Sequence, residues 1–288
     1  MPGKLYVVGT PIGNLGDFSP RAVETLSSVD FIAAEDTRVT VKLLNRFEIK
    51  NKLISYHEHN RAEKGEAIID MILSGKSCAL VSDAGMPVIS DPGQELVKLC
   101  RENGIEVEAV PGPSAVITAL AVSGLNVARF TFEGFLTGNK PKRREHLEEI
   151  KTERKTMVFY EAPHKLADTL HDLHSALGDR RIAIIKELTK IHESAEYTTL
   201  AEVDGKYDAV KLKGEYVLII EAKSDDELRE EEAERAPDPI ELARGFLADG
   251  IGMNEAAKRA AKETGAKKGD IYRAIVNGNA DRESENNE

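Results

Sequence analysis

The sequence predicts an α/β protein of two α/β domains with a small helical module at its end. Three observations carry this. Short apolar runs alternate with helical patterns over residues 1–124, which is the signature of a parallel sheet covered on both faces. From about residue 125 strand patterns outnumber helical ones, so a mixed sheet is expected over 125–223. An acidic stretch at 224–237 then separates three short helical segments in 238–288.

The first half reads in order. Lys4 to Gly9 is an apolar strand, and Ser19-Pro20 supplies an N-cap and a proline at the first helical position for a helix reaching Ser28. Phe31 to Ala34 is a strand, followed by a helix to Phe47. Leu53 to Tyr56 is the next strand, and Glu63 to Leu73 a helix closed by Gly75. Cys78 to Val81 leads into the long loop Ser82 to Gly93 and a helix from Gln94 to Glu102. Ile105 to Val110 and a small-residue helix, Ala115 to Ser123, complete this half. Every conspicuous loop follows a strand and precedes a helix, so all of them fall on the carboxyl edge of the sheet, where open α/β sheets bind ligands.

In the second half Phe130 to Phe135, Met157 to Tyr160, Ile182 to Ile185, Thr198 to Val203 and Tyr216 to Glu221 are expected strands. Lys140 to Lys155 is basic and exposed in character, and Lys165 to Leu177 is a helix. Ile240 to Ala248, Asn254 to Thr264 and Lys268 to Val276 are the terminal helices.

Composition excludes several classes. A 288-residue chain with 41% hydrophobic and 31% charged residues is a globular protein with room for two cores. No apolar run approaches the length that spans a bilayer, and the opening residues read as a strand rather than a signal peptide. The two cysteines, Cys78 and Cys100, fall in a strand and a helix and read as buried fillers, which suits a cytoplasmic protein. No Cys or His cluster has metal-ligand spacing, so no metal is expected. The net charge of −11 is unevenly spread, so any nucleic-acid contact is confined to local basic patches.

Three loops, Gly9 to Asp17, Ser82 to Gly93 and Pro111 to Ser114, are rich in Gly and Pro and carry no Lys or Arg. They match neither the dinucleotide fingerprint nor a P-loop. A phosphate-rich ligand calls for cations, so these loops favour S-adenosylmethionine over ATP or NAD. The second half supplies the ionisable groups. Glu161, His164, Glu187 and His192 each suit a general base; the plainer reading is that each Glu pairs with a nearby Lys or caps a helix. Arg38, Arg46, His57, His59 and Arg61 form a candidate polar rim for a phosphate-bearing substrate, or a solvated face. Lys258, Arg259, Lys262, Lys267, Lys268 and Arg273 give the terminal helices a basic character suited to RNA, while their alanines suit a bundle face.

Read together, Val8-Gly9-Thr10-Pro11-Ile12-Gly13-Asn14-Leu15, Ala34-Glu35-Asp36-Thr37-Arg38, Tyr56-His57-Glu58-His59-Asn60, Ser82 to Gly93, Val110-Pro111-Gly112-Pro113-Ser114-Ala115, Tyr160-Glu161-Ala162-Pro163-His164, Lys186-Glu187-Leu188-Thr189-Lys190 and Gly214-Glu215 resemble the bacterial ribosomal RNA small subunit methyltransferase I family of the tetrapyrrole methylase superfamily. The resemblance implies two α/β domains with S-adenosyl-L-methionine in the cleft between them, a homodimer, and 2′-O-methylation of a cytidine ribose in 16S rRNA near the decoding centre. Carried over by motif, the cofactor residues are Thr10, Pro11, Ile12 and Gly13; Asp83, Ala84, Gly85, Met86 and Pro87; Ser114 and Ala115; and Tyr160, Thr189, Gly214 and Glu215. Met86 departs from the family's usual Thr, and Ala162 and Lys165 from its common Ser and Arg. Methylation of a weakly acidic hydroxyl is helped by a base, for which Glu161 or Glu187 is the candidate, with His164 or Lys190 as helper. Two rivals stand beside this reading: a methylase of tetrapyrrole-like small molecules, and a non-enzymatic RNA-binding assembly factor.

Overall fold

A computed structural model describes residues 2–208, 210–223, 227 and 237–285, with side chains as far as Asn277. The acidic stretch expected at 224–237 lies almost wholly outside the described residues. The chain forms two compact units, 1–222 and 223–288.

The first unit contains two five-stranded sheets. Sheet one is parallel, with strands β1 (Lys4–Val8), β2 (Phe31–Ala34), β3 (Leu53–Ser55), β4 (Cys78–Val81) and β5 (Glu106–Val110) in the order β3-β2-β4-β1-β5. Strands β2 and β4 are buried throughout, as expected of a sheet covered on both faces. Helices α1 (Pro20–Ser28), α2 (Thr37–Arg46), α3 (Arg61–Leu73) and α4 (Gln94–Glu102) cover it. Their starts follow from local chemistry: the Ser19 hydroxyl accepts from the Ala22 N–H, and the Asp36 carboxylate accepts from the Arg38 N–H. Cores of Leu5, Phe31, Ile68 and Leu96 on one face and Val8, Leu26, Ile32 and Leu44 on the other hold the layers together.

Chain order across this sheet reverses between β1 and β4. Loops diverge there and leave a crevice. The loops after these two strands are tied across it: Thr10 and Gly85 exchange backbone bonds of 2.9 and 3.1 Å.

Sheet two is mixed, as expected. Strands β6 (Phe130–Phe135), β7 (Thr156–Glu161), β8 (Arg181–Lys186), β9 (Ser194–Thr199) and β10 (Tyr216–Ile220) run in the order β6-β7-β10-β8-β9, with β6 and β7 parallel and the other pairs antiparallel. Helix α5 (Ala115–Val122), read from sequence as the last helix of the first domain, packs Val116, Ala119 and Leu120 onto Val158, Ile185 and Ile219 of this second sheet. Ile12 from the loop after β1 joins the same cluster. The expected boundary at 124 therefore follows a helix already committed to the second core.

Two elements differ from expectation. The basic stretch 140–155 contains a helix, α6 (Lys140–Ile150), started by the Asn139 side chain accepting from the Lys142 N–H and by Pro141. The strand expected over Thr198–Val203 is instead β9, Ser194–Thr199, followed by the one-turn helix α8 (Leu200–Val203). Between them α7 (Leu166–Leu177) covers the outer face. Alternation of polar residues hid β9. Thr199 ends it by accepting from the Glu202 N–H, and Leu200 and Val203 then bury together against α7.

The second unit contains helices α9 (Pro239–Ala248), α10 (Met253–Thr264) and α11 (Lys268–Glu285). They close on Ala243, Ala257, Ala260, Ile271 and Ile275, with Gly265 in the left-handed region ending α10. No helix among the described residues is long and apolar enough to cross a membrane.

Candidate active site

Where the two sheets of the first unit face each other they enclose a cleft of about 500 Å³. From the first sheet it is lined by Ile12, by Ala84, Gly85 and Met86, by Ile89 to Asp91, and by Ser114 and Ala115. From the second it takes Phe135, Tyr160 to His164, Leu188 and Glu215 to Val217. The carboxyl edge predicted from sequence is therefore one wall of a two-sided cleft.

Backbone sets the shape of the first wall. Gly9 and Gly112 meet so closely that a Cβ on Gly112 would lie 2.8 Å from the Gly9 Cα and carbonyl carbon. Only two glycines allow the loops after β1 and β5 to touch. The Thr10 hydroxyl is buried and donates toward the Ser82 carbonyl at 3.3 Å.

Among the described residues five non-glycines hold positive φ, and four flank this cleft: Val88 (79°), Ser90 (67°), Glu187 (53°) and Thr189 (68°). For branched Val and Thr this conformation is strained, and such strain persists where surrounding structure enforces it, often at functional sites. Thr189 carries a second signal. Its Oγ1 is buried without a partner, beside Gly13. A buried hydroxyl without a partner costs free energy that a ligand can return.

The ionisable residues fall into three groups. Glu187 accepts from the Lys190 ammonium at 2.8 Å and from the Glu215 N–H at 3.0 Å. Lys190 bridges on to the Glu215 carboxylate at 2.8 Å. The Lys190 bond holds Glu187 below the usual carboxylate range. Burial pulls the Lys190 ammonium down, but its bonds to Glu187 and Glu215 outweigh this and hold it above its ordinary value. Glu161 lies at the cleft wall yet is only 2% exposed. One of its oxygens accepts from the Ala162 N–H at 2.8 Å and the other from the Thr169 hydroxyl at 2.6 Å.

Of the third group the sequence singled out Asp83, as a cofactor residue, and gave Glu35 and Asp91 no role of their own. Glu35, Asp83 and Asp91 converge at the carboxyl edge, and burial foremost lifts all three above the ordinary range. Neighbouring carboxylates add to this: Asp91 and Asp83 raise Glu35, and Asp83 raises Asp91. Asp36 stands apart, held at about 2 by the Arg38 side chain. Asp91 was legible only as a second Asp in the long Ser82 to Gly93 loop, a residue type that turns also favour.

The expected RNA residues lie outside the cleft wall. Arg38 and Arg61 are exposed and paired with Asp36 and Glu58 at 2.6 and 3.0 Å. Arg46 and His59 are exposed, and His57 packs its ring edge-on to His59. In the second unit Lys258, Arg259, Lys262, Lys267, Lys268 and Arg273 are all exposed, while the alanines beside them build the bundle core. Of the expected cofactor residues, Ile12, Ala84, Gly85, Met86, Ser114, Ala115, Tyr160 and Glu215 line the cleft; Thr10, Pro11, Gly13, Asp83, Pro87, Thr189 and Gly214 belong to the loops that carry them. Among the described residues no group of three or more His, Cys, Asp or Glu is placed to hold a metal ion.

The model for tetrapyrrole (corrin/porphyrin) methylases matches residues 4–204. Solved structures share the fold: a cobalt precorrin-4 methyltransferase superposes with a TM-score of 0.58 at 16% identity, covering 76% of this chain and 94% of its own. The chain belongs to the tetrapyrrole methylase family. Within it the relatives are more specific. Ribosomal RNA small subunit methyltransferase I of Halalkalibacterium halodurans is 47% identical over 270 residues, covering 94% of this chain and 93% of its own. That of Bacillus subtilis is 44% identical, covering 94% of each. The Thermotoga maritima protein of the same name is 46% identical over 221 residues, which is 77% of this chain but 99% of its own length.

S-adenosyl-L-methionine is the cofactor of this protein, and the cleft suits it. Ile12, Met86, Leu188 and Val217 offer apolar walls for an adenosyl group. Among the described residues no Lys or Arg lines the cleft, so no fixed cation in its wall repels a sulfonium. When bound, the cofactor supplies an electrophilic methyl group.

Proposed function

We propose that this chain methylates the 2′-oxygen of a cytidine ribose in 16S rRNA near the decoding centre of the small ribosomal subunit. The observation that carries the reading is the cleft itself, without Lys or Arg in its lining and walled by both sheets, in a chain whose relatives are named for small-subunit ribosomal RNA. The basic side chains of α10 and α11, and Arg38, Arg46, His57, His59 and Arg61 on the first sheet's rim, supply local phosphate contacts on an otherwise acidic protein. The protein acts as a homodimer in the cytoplasm; exposed Ile117, Val122 and Tyr197 on neighbouring elements offer apolar surface for a second copy.

Positioning does most of the work in such a reaction. The tied loops at Thr10 and Gly85 and the strained backbone at Ser90 and Thr189 hold the walls in register. The base expected at Glu161 or Glu187 is not favoured by their bonds. Glu161 has both oxygens engaged by Ala162 and Thr169, and Glu187 is paired with Lys190. His164 is exposed at the cleft mouth, and Lys190 serves the ion-pair network.

The test is incubation with radiolabelled S-adenosylmethionine and small subunits lacking the modification, with naked 16S rRNA as control. Ribose-linked label on the subunit is expected. Cofactor binding with label on neither RNA, but on a tetrapyrrole, would replace this reading with the small-molecule rival. Absence of cofactor binding would favour an assembly factor.

A further inference from the structure

Three carboxylates line the cleft: Asp91, Glu161 and Glu215. Glu161 is saturated by hydrogen bonds and Glu215 is tied to Lys190 and 81% exposed. Asp91 differs from both. It ends the strained turn through Val88 and Ser90, and the Ser82 hydroxyl bonds to it. No cation pairs with it among the described residues. The Arg38 guanidinium at this edge is bonded to Asp36.

We propose that Asp91 is the catalytic base, its carboxylate accepting the proton of the hydroxyl that becomes methylated. The proposal rests on the reading of a ribose hydroxyl as acceptor. Methylation of a neutral hydroxyl releases one proton. A lone pair on the oxygen forms the new carbon–oxygen bond, and the carbon–sulfur pair leaves on sulfur. The oxygen–hydrogen pair stays on oxygen as the proton passes to an Asp91 oxygen and from there to water.

The surroundings suit that task. A carboxylate paired with a cation is a weak base, whereas a half-buried one beside other carboxylates binds a proton more tightly. Asp91 faces Asp83 and Glu35 from the first sheet's loops and the Tyr160 ring from the second sheet. Its pKa is raised by burial first and by Asp83 second. The Ser82 hydroxyl opposes this.

The experiment compares Asp91→Asn and Asp91→Glu with the unaltered protein. Cofactor affinity by calorimetry, binding to unmodified small subunits, and single-turnover methyl transfer against pH are measured. Asn is expected to keep both affinities within about twofold and lose at least about a hundredfold in rate. Glu should retain part of the rate and its acid limb, which Asn should lose. A rate for Asn within about threefold of the unaltered protein overturns the assignment, as does a rate loss matched by loss of cofactor binding. Either result leaves the functional reading intact if the unaltered protein labels a ribose. Label on a base ring, or none, overturns that reading first and this one with it.

Discussion

Gly112→Ala puts the architecture of the cleft to a direct test. A Cβ at this position would stand 2.8 Å from the Gly9 Cα and carbonyl carbon, against 3.4 Å for ordinary contact. The two loops must therefore part by about 0.6 Å. Gly9 donates to the Val110 carbonyl at 3.0 Å, and the same displacement stretches that bond past its useful range. Overpacking costs about 1–3 kcal/mol and the lost bond about 1 more. For a domain of this size each kcal/mol moves Tm by roughly 2–4 °C, so a fall of roughly 4–16 °C is expected. Ser114 and Ala115 follow directly on this loop and line the cleft, so cofactor affinity should weaken about tenfold or more. The control is Gly104→Ala. Its Cβ meets nothing within 4 Å, but its φ is +67°. It should lose about 1 kcal/mol from backbone strain alone and keep full affinity. Thermal unfolding and calorimetry read both. A Gly112→Ala protein that melts within about 2 °C of the unaltered one and binds the cofactor equally well would refute the close-contact reasoning.

Other perturbations address the remaining parts. Thr169→Val removes the hydroxyl that serves the buried Glu161 and should cost about 1–3 kcal/mol, read as a lower denaturation midpoint; an unchanged midpoint would show that Glu161 has found another donor. Glu35→Gln keeps an acceptor for the Asp83 N–H while removing a carboxylate whose pKa is raised by burial and by Asp91 and Asp83. A raised folded pKa means the charged form costs stability above that pKa and nothing below the unfolded value. The substitution should therefore stabilise by about 0.5 kcal/mol at neutral pH, a gain that fades as pH falls through the carboxylate range; a constant gain at every pH would contradict this origin. Removal of residues 223–288 should leave cofactor affinity unchanged, because the Thermotoga maritima relative is matched over 99% of its length by 221 residues. It should lower affinity for small subunits and flatten its salt dependence; identical salt slopes would show that the basic helices do not touch RNA.

The order of strands and helices in the first half was written in the sequence, because apolar periodicity and caps such as Ser19-Pro20 and Asp36 act over a few residues. The motif loops also placed one wall of the cleft correctly on the carboxyl edge of a parallel sheet. Strand β9 escaped because an edge strand of polar residues carries no apolar alternation, and α6 because a charged surface helix buries almost nothing. Only the tertiary structure could sort the acids. Glu161 and Glu187 each suited a base, an ion pair or a cap in sequence; in the structure Glu161 is engaged by Thr169 and Ala162, and Glu187 by Lys190 three residues on and by the distant Glu215 N–H. Asp91 had no role in sequence beyond its place in the Ser82 to Gly93 loop and, among the described residues, pairs with no cation in the cleft, beside Asp83 and Glu35. Residue type and spacing are local properties and a single chain displays them. Desolvation and the identity of the neighbouring charge depend on atoms from distant segments, and these decide which carboxylate is available to take a proton.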